Sequence, residues 1–372
     1  MREKITAAVL TAPRNIELRE FDRPELKPRD LLMKVRYCGI CGSDIHLWEG
    51  SWNPPYPLIL GHEFIGEVDE AGSEALQWRQ LNRGDQVAVE MILPCHRCDW
   101  CRRGYYNLCH YDDRSIAPDY GRQYGCNIPI TRPPTALWGG YSQYLYVPEN
   151  AIVHKYERRV DWREGALTEP LAVSVRAIKL SQISAGSSVV VMGPGTIGLM
   201  TVIAAKAAGA DPVILTGTRD TRLRVGEDLG ADHIVNVMGV QDPVKEVMRL
   251  TGGAGADVVV ETAGTSSAQE QSFRTARKTG TVVLVGLTGE KSLTITPDRD
   301  IVAKELSVKG SILSAHAYQD AMGIIQSGKF ALKKVVTHVF PLEEVERAFQ
   351  VVVGRQEGVI KALLDPWTRS VT

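Results

Sequence analysis

With 372 residues, of which 44% are hydrophobic, 23% charged and 7% aromatic, the chain has the composition of an ordinary folded protein and more length than one hydrophobic core usually serves. Its 43 basic and 44 acidic side chains leave a net charge of -1, which offers a nucleic acid or an anionic membrane no electrostatic attraction. The first twenty residues hold only the short apolar run AAVL, and the longer stretch GLMTVIAAKAAG is interrupted by Lys206, so neither a secretory leader nor a membrane span is expected and the cytoplasm is the expected location.

The first half of the chain is irregular and rich in turn formers, with β-type runs LLMKVRY from Leu31, FIGEVDEAG from Phe64, DQVAVE from Asp85 and YSQYLYVP from Tyr141. Two candidate metal constellations lie in it. Residues 94–109 read PCHRCDWCRRGYYNLC, placing Cys95, Cys98, Cys101 and Cys109 at C-x2-C-x2-C-x7-C spacing. In a reducing compartment such a cluster is read as metal ligands before disulfides. Four thiolates complete a tetrahedral shell and leave no position for a substrate, the mark of a structural zinc. A redox C-x-x-C is the rival reading, disfavoured because no thioredoxin-like βαβ pattern surrounds it. A catalytic zinc needs fewer protein ligands and an open position, and its candidates are scattered. They are Cys41 and His46 in CGICGSDIH, His62 and Glu63 in GHE, and Glu169 in TEPLAVS, while Cys38 and Cys126 read as small buried hydrophobes.

From about Ala185 apolar strands alternate with helical segments. The strands are SSVVVM, DPVILT, ADHIVNV, ADVVVET, GTVVLVGL and ELSVKGSIL, and TIGLMTVIAAKAAG and QDPVKEVMRLTGG read as helices between them. Six strands in this order predict a doubly wound parallel sheet. After Ser314, HAYQDAMGIIQSGKF reads as a further helix and the tail closes with a helix and a strand. The expected organisation is a mostly β catalytic domain over 1–172, a dinucleotide-binding domain over 173–315, and a return to the catalytic domain over 316–372.

GPGTIG, Gly193 to Gly198, matches G-x-G-x-x-G between an apolar strand and a helix. Gly193, Gly195, Ile197 and Gly198 are therefore expected to receive a pyrophosphate at the helix N-terminus. The second strand should end in an acid that binds the ribose of NAD, but Gly217 stands there, followed by Thr218 and Arg219. Without that carboxylate a 2'-phosphate is not repelled and Arg219 or Arg222 can pair with it, which favours NADP over NAD; Asp220 serves NAD only if the turn is shifted.

CGICGSDIH, GHEFIGEV, the four-cysteine lobe, GGYSQYLYVP, EPLAV, GPGTIG, ADVVVETAG and VGLTG follow one another over nearly the whole length. In this ordered set the chain resembles the zinc-dependent medium-chain alcohol dehydrogenases, nearest in pattern to the sorbitol and threonine dehydrogenase branch. The resemblance implies an α/β protein with a GroES-like, mostly β catalytic domain and a Rossmann domain, the active site lying in the cleft between them. It implies two zinc ions per chain. Cys41 and His62 become ligands of the catalytic one, Glu63 and Glu169 complete its coordination directly or through water, and Ser43 and His46 form a proton relay. Val285, Gly286 and Leu287, with Ser311, Ile312 and Leu313, fall where backbone groups face the nicotinamide of NAD(P). The implied partners are a small alcohol or ketone and further copies of the chain, as a dimer or tetramer.

The pattern departs from the sorbitol type at two places. A tyrosine after the relay histidine is replaced by Leu47, and an Arg-Tyr pair after the last sheet strand by Leu313 and Ser314. With Trp48 and Trp52 nearby in sequence, this favours a less hydroxylated, apolar or cyclic secondary alcohol; a polyol or threonine-type substrate is the alternative. A non-catalytic dinucleotide-binding regulator, or a zinc-free quinone reductase, has no use for Cys41, His62, Glu63 and Glu169 together.

Overall fold

A computed structural model describes residues 4–112 and 121–369. The chain forms two compact units, one of Met1–Glu169 with Val336–Thr372 and one of Pro170–Val335.

The first unit is mostly antiparallel sheet. Its larger sheet runs Val336–Pro341, Lys361–Asp365, Leu31–Gly39, Glu63–Ala71, Gln86–Val89 and Val153–Lys155, with Tyr144–Val147 also paired to Leu31–Gly39. Ile5–Ala12 forms a separate three-stranded sheet with Asn15–Phe21 and Leu58–Ile59. Tyr124, Tyr141 and Tyr146 are fully buried among these strands. Each hydroxyl finds an acceptor, as a buried phenol must: Tyr124 donates to Tyr146 O at 2.8 Å, Tyr146 to Asp30, and Tyr141 to Asp44 at 2.9 Å. Two pairings position the site. Glu63 begins its strand opposite Gly39, and the C-terminal strand lies antiparallel to the same strand end, Leu363 opposite Gly39 and Leu364 opposite Cys38.

The second unit is built on six parallel strands. In space they run His233–Asn236, Val213–Gly217, Val189–Met192, Ala256–Glu261, Ala276–Leu284, Ser307–Gly310, which is 3-2-1-4-5-6 in chain order. Strands covered on both faces need apolar side chains throughout, and VVVM and VILTG are buried at every position. Val190, Ile214, Val235, Val259, Phe273 and Val282 share one core. Its helices include Thr196–Ala207, Asp220–Asp228, Pro243–Leu250 and Ser266–Thr275. Pro243–Leu250 shows the local logic: Asp242 accepts from Val244 N and Lys245 N, and proline takes the first position, where its missing N–H costs nothing.

Two expectations are corrected. The segment 316–335 belongs to the second unit, because Tyr318–Ser327 buries Tyr318, Ala321, Met322 and Ile325 as one helical stripe and meets the helix Thr196–Ala207. The last sheet strand stops at Gly310 rather than running to Leu313, whose φ of +57° takes the chain out of extended geometry. Among the described residues, no helix is long and apolar enough to cross a membrane.

Candidate zinc sites, relay and cofactor cradle

The four clustered cysteines converge. The sulfurs of Cys95, Cys98, Cys101 and Cys109 lie within 4.8 Å of one another, none in a disulfide. Zinc–sulfur bonds of about 2.3 Å in a tetrahedron place sulfurs about 3.8 Å apart, and Cys95 Sγ stands 3.9 Å from Cys101 Sγ. Backbone N–H groups of Arg97 and Cys98 point at Cys95 Sγ, at 3.5 and 3.3 Å, as amides do toward a thiolate. Cys98, although burial opposes its charge, is drawn down to about 6 by backbone donors and neighbouring thiols. The donor set fits a structural zinc.

Three of the four proposed catalytic ligands form a second cluster: Cys41, His62 and Glu63 offer ligand atoms within 4.8 Å of one another. Cys41 is the N-cap of the helix Gly42–Trp48, and its N–H donates to Asp44 Oδ2 at 2.9 Å. The other oxygen of Asp44 lies 3.4 Å from His62 Nδ1. A carboxylate on one imidazole nitrogen fixes the ring and leaves Nε2 for a metal, an arrangement that orients histidine ligands of zinc. Ser43 Oγ sits on that Nε2 side at 3.3 Å. Asp44 thus binds the Cys41 amide and stands 3.4 Å from His62, and Tyr141 holds it in turn at 2.9 Å. Asp44 stands within CGSDIH with no sequence signal of its own. Cys126, expected to be a core filler, places its sulfur 3.7 Å from His62 Nδ1 and so borders the site.

Glu63 and Glu169 are differently placed. Glu63, only 1% exposed, takes Lys361 Nζ on both oxygens at 2.8 and 2.6 Å, and the same ammonium donates to Ile40 O at 2.9 Å. Each carboxylate oxygen has a lone pair left for a metal. Glu169 stands outside the three-residue cluster, at the start of the helix Thr168–Ser181, and burial pushes its carboxyl up to about 7. Lys361, itself 2% exposed, escaped the sequence reading because only strand pairing brings it to Glu63. Lys361→Met strands a buried carboxylate without its counter-charge, so the variant is expected to lose about 3–5 kcal/mol of stability in denaturant titration. A loss below about 1 kcal/mol would show that the pair holds nothing together.

In the second unit the glycine loop lies where the strand order reverses, between Val189–Met192 and Ala256–Glu261. Gly193 has φ +105°, and a side chain there would come within 2.9 Å of Ala263 Cα; one at Gly198 would collide with Gly193 O. A side chain at Gly195, the N-cap of the helix Thr196–Ala207, would meet nothing within 4 Å. Two glycines are thus required by packing and the third borders open space at the helix N-terminus, which fits a pyrophosphate. At Gly217 a side chain would collide with the Pro194 ring, so the acid expected there for NAD is excluded sterically as well as absent. Asp220 is engaged by Asn236 Nδ2 at 2.7 Å, and half-exposed Arg219 is the N-cap of Asp220–Asp228. Val285 and Gly286 donate to Glu261 O, Leu287 is largely exposed, and Ser311 N donates to Leu284 O at 2.9 Å.

Residues 27–157 match the family model of the alcohol dehydrogenase GroES-like domain, and residues 196–327 that of the zinc-binding dehydrogenases. Erythritol/L-threitol dehydrogenase of Mycolicibacterium smegmatis is 34% identical over 97% of this chain and 98% of its own. Sorbitol dehydrogenase of Bacillus subtilis is 31% identical over 98% of each. A solved zinc-binding dehydrogenase of Sinorhizobium meliloti 1021, bound to NADP, superposes with a TM-score of 0.85 at 33% identity, covering 98% of this chain and 100% of that one. The chain belongs to the zinc-dependent medium-chain alcohol dehydrogenases.

Within this dehydrogenase the helix Gly42–Trp48 carries Ser43 and His46 three residues apart, hence on one face. His46 stacks on Trp52, ring centroids 5.0 Å apart and 19° between planes, and Ser51 Oγ lies 3.4 Å from its Nδ1. Trp52 is 41% exposed. The other two candidate pocket residues do not share this setting: Leu47 and Trp48 are buried, Trp48 tilted against Phe349 at 5.3 Å. The dehydrogenase therefore exposes one of the two tryptophans beside His46 and packs the other into the core.

Proposed function

We propose that this dehydrogenase interconverts a secondary alcohol and its ketone with NADP, the alcohol being relatively apolar or cyclic. The observation that carries the reaction is the convergence of Cys41, His62 and Glu63 with Ser43 Oγ beside His62 Nε2. Cys41, His62 and Glu63 would hold a zinc, which would supply acidification of an alcohol hydroxyl and, in reverse, polarisation of a carbonyl, with a nicotinamide as the hydride partner. Ser43 Oγ would accept the hydroxyl proton as it releases its own, and His46, on the same helix face, would hand a proton to solvent. Asp44 keeps His62 in one tautomer throughout, and Lys361 neutralises Glu63.

The apolar substrate rests on Trp52, an exposed ring against His46 where a polyol would need hydroxyl partners. The polyol reading is supported by the two curated relatives, which act on erythritol, L-threitol and sorbitol by name. Initial rates on sorbitol, erythritol, threonine and cyclic or aryl secondary alcohols, each with NAD and with NADP, separate the two. A dominant sorbitol or erythritol rate would replace the apolar reading.

NADP is favoured by Gly217 and by Arg219. Arg219→Ala is expected to weaken NADPH binding about tenfold, as loss of a charge-assisted bond does, and to leave NADH affinity within about twofold. Equal losses for both would remove Arg219 from phosphate recognition. We assign the protein to the cytoplasm, where seven free thiols stay available to metals. We also propose a homo-oligomer assembled through the edge strand Ser307–Gly310, which among the described residues pairs only with Ala276–Leu284 and exposes Val308. Light scattering of wild type and Val308→Lys measures that directly, with dissociation expected in the variant.

A further inference from the structure

The strand Ala256–Glu261 ends on an acid that exposes 0% of its surface. Glu261 Oε1 accepts the N–H of Ala263 at 2.7 Å and of Gly264 at 2.8 Å, while its backbone O accepts those of Val285 at 2.9 Å and Gly286 at 3.0 Å. One residue thus gathers the amides of two turns. The turns also touch: a side chain on Gly286 would run into Gly264 N, and one on Gly264 would come within 2.6 Å of Leu287 O. Thr262 Oγ1 donates to Met192 O at 2.8 Å and Gly193 O at 3.1 Å, tying the pyrophosphate loop to the same segment. Glu261 Oε2 is buried without a hydrogen-bond partner, and the nearby Gln269 amide donates to Gly286 O at 2.9 Å.

A carboxyl in this position is costly. Burial pushes its pKa up, opposed by the Gly264 and Ala263 backbone donors, and an apolar side chain of the same size would avoid that desolvation. Sheet pairing does not require it, because Val285 and Gly286 bond to its backbone. What only its side chain supplies is an acceptor for Ala263 and Gly264, in a turn whose glycine at φ +64° is otherwise free to move.

We propose that Glu261 is a positioning residue for the cofactor: it pins the turns 262–264 and 285–287 in the one arrangement that receives the nicotinamide half of the dinucleotide. This rests on the cofactor reading above. Turns ordered before binding do not draw on binding energy for their ordering, and a fixed ring meets the reacting carbon in one geometry.

The test is fluorescence titration of the zinc-loaded protein with NADPH. Glu261→Met keeps the volume and removes the acceptor, and affinity is expected to fall about tenfold, two amides being left unpaired. Glu261→Gln retains one oxygen for both amides and is expected to stay within about twofold of wild type. Val259→Ala cuts a cavity in the same strand away from the turns. It is expected to lower the unfolding temperature as much as Glu261→Met while binding NADPH within about twofold of wild type. Should Glu261→Met not fold, Glu261→Asp, too short to reach both amides, carries the same expectation. The proposal is overturned if the methionine variant binds like wild type, if the glutamine variant is as weak as methionine, or if Val259→Ala loses as much. A wild-type protein that binds neither NADPH nor NADH overturns the cofactor reading, and this proposal with it.

Discussion

Replacing Cys41 by serine is expected to lower kcat/KM at least about 10⁴-fold, with dinucleotide affinity unchanged within about twofold and zinc content falling from two ions per chain towards one. The thiolate supplies a charge-bearing ligand that a serine hydroxyl, un-ionised at neutral pH, does not replace. Metal coordination can lower a bound water's pKa from about 15.7 to about 7, roughly 12 kcal/mol at about 1.4 kcal/mol per unit. A positioned base alone contributes about 10²–10⁴-fold, so the ligands that hold the metal carry the larger share of the barrier. Cofactor affinity stays because the glycine loop belongs to a different compact unit from Cys41. Stopped-flow turnover, nucleotide titration and metal analysis on one preparation read all three quantities. Undiminished turnover would remove Cys41 from the metal site, and lost nucleotide binding would show the variant to be misfolded.

Cys98→Ser is expected to act in the opposite order: zinc content falls by one ion, the unfolding temperature drops by about 10 °C or more, and activity follows only as folded protein is lost. The lobe between Cys95 and Cys109 has little else to order it, since its helix spans only Asp99–Arg102 and buries no residue. Four thiols packed together cannot all ionise without a cation: backbone donors and neighbouring thiols draw Cys98 down, while burial pushes Cys101 and Cys109 up. Each lost kcal/mol shifts the unfolding temperature by about 2–4 °C in domains of this size, so a loss of about 4 kcal/mol gives the expected drop. Anchors outside the cysteines survive, chief among them the buried Glu90, which accepts from Tyr106 at 3.0 and 2.9 Å and faces His154 at 2.9 Å. A Cys98→Ser protein that is fully folded and stable yet inactive would overturn the structural role.

Much of the candidate site is legible in the sequence. The cysteine spacing is itself a chelate: a metal needs four donors within a few ångströms, and a short loop brings them there whatever surrounds it. G-x-G-x-x-G between an apolar strand and a helix is equally local, because the conformations and close approaches demanded of Gly193 and Gly198 arise within the turn and from the strands beside it. Parallel strands buried on both faces announce themselves as unbroken apolar runs such as VVVM and VILTG.

The remainder depended on pairing between distant segments. Lys361 meets Glu63 across 298 residues because the last strand lies against Leu31–Gly39, and neither residue signals the other by type or spacing. Cys126 borders His62 across 64 residues, again with no sequence signal linking the two. Trp48 and Trp52 are indistinguishable as letters four positions apart, yet the helix ending at Trp48 turns that ring onto Phe349 and leaves Trp52 exposed against His46. The sequence by itself determined the chemistry available, two zinc donor sets and a dinucleotide loop, because chelation and turn geometry act over a few residues. Tertiary structure alone decided which carboxylate is neutralised, which aromatic lies exposed beside His46 and which acid gathers the amides of the turns 262–264 and 285–287, because burial and strand register are properties of the whole packed unit.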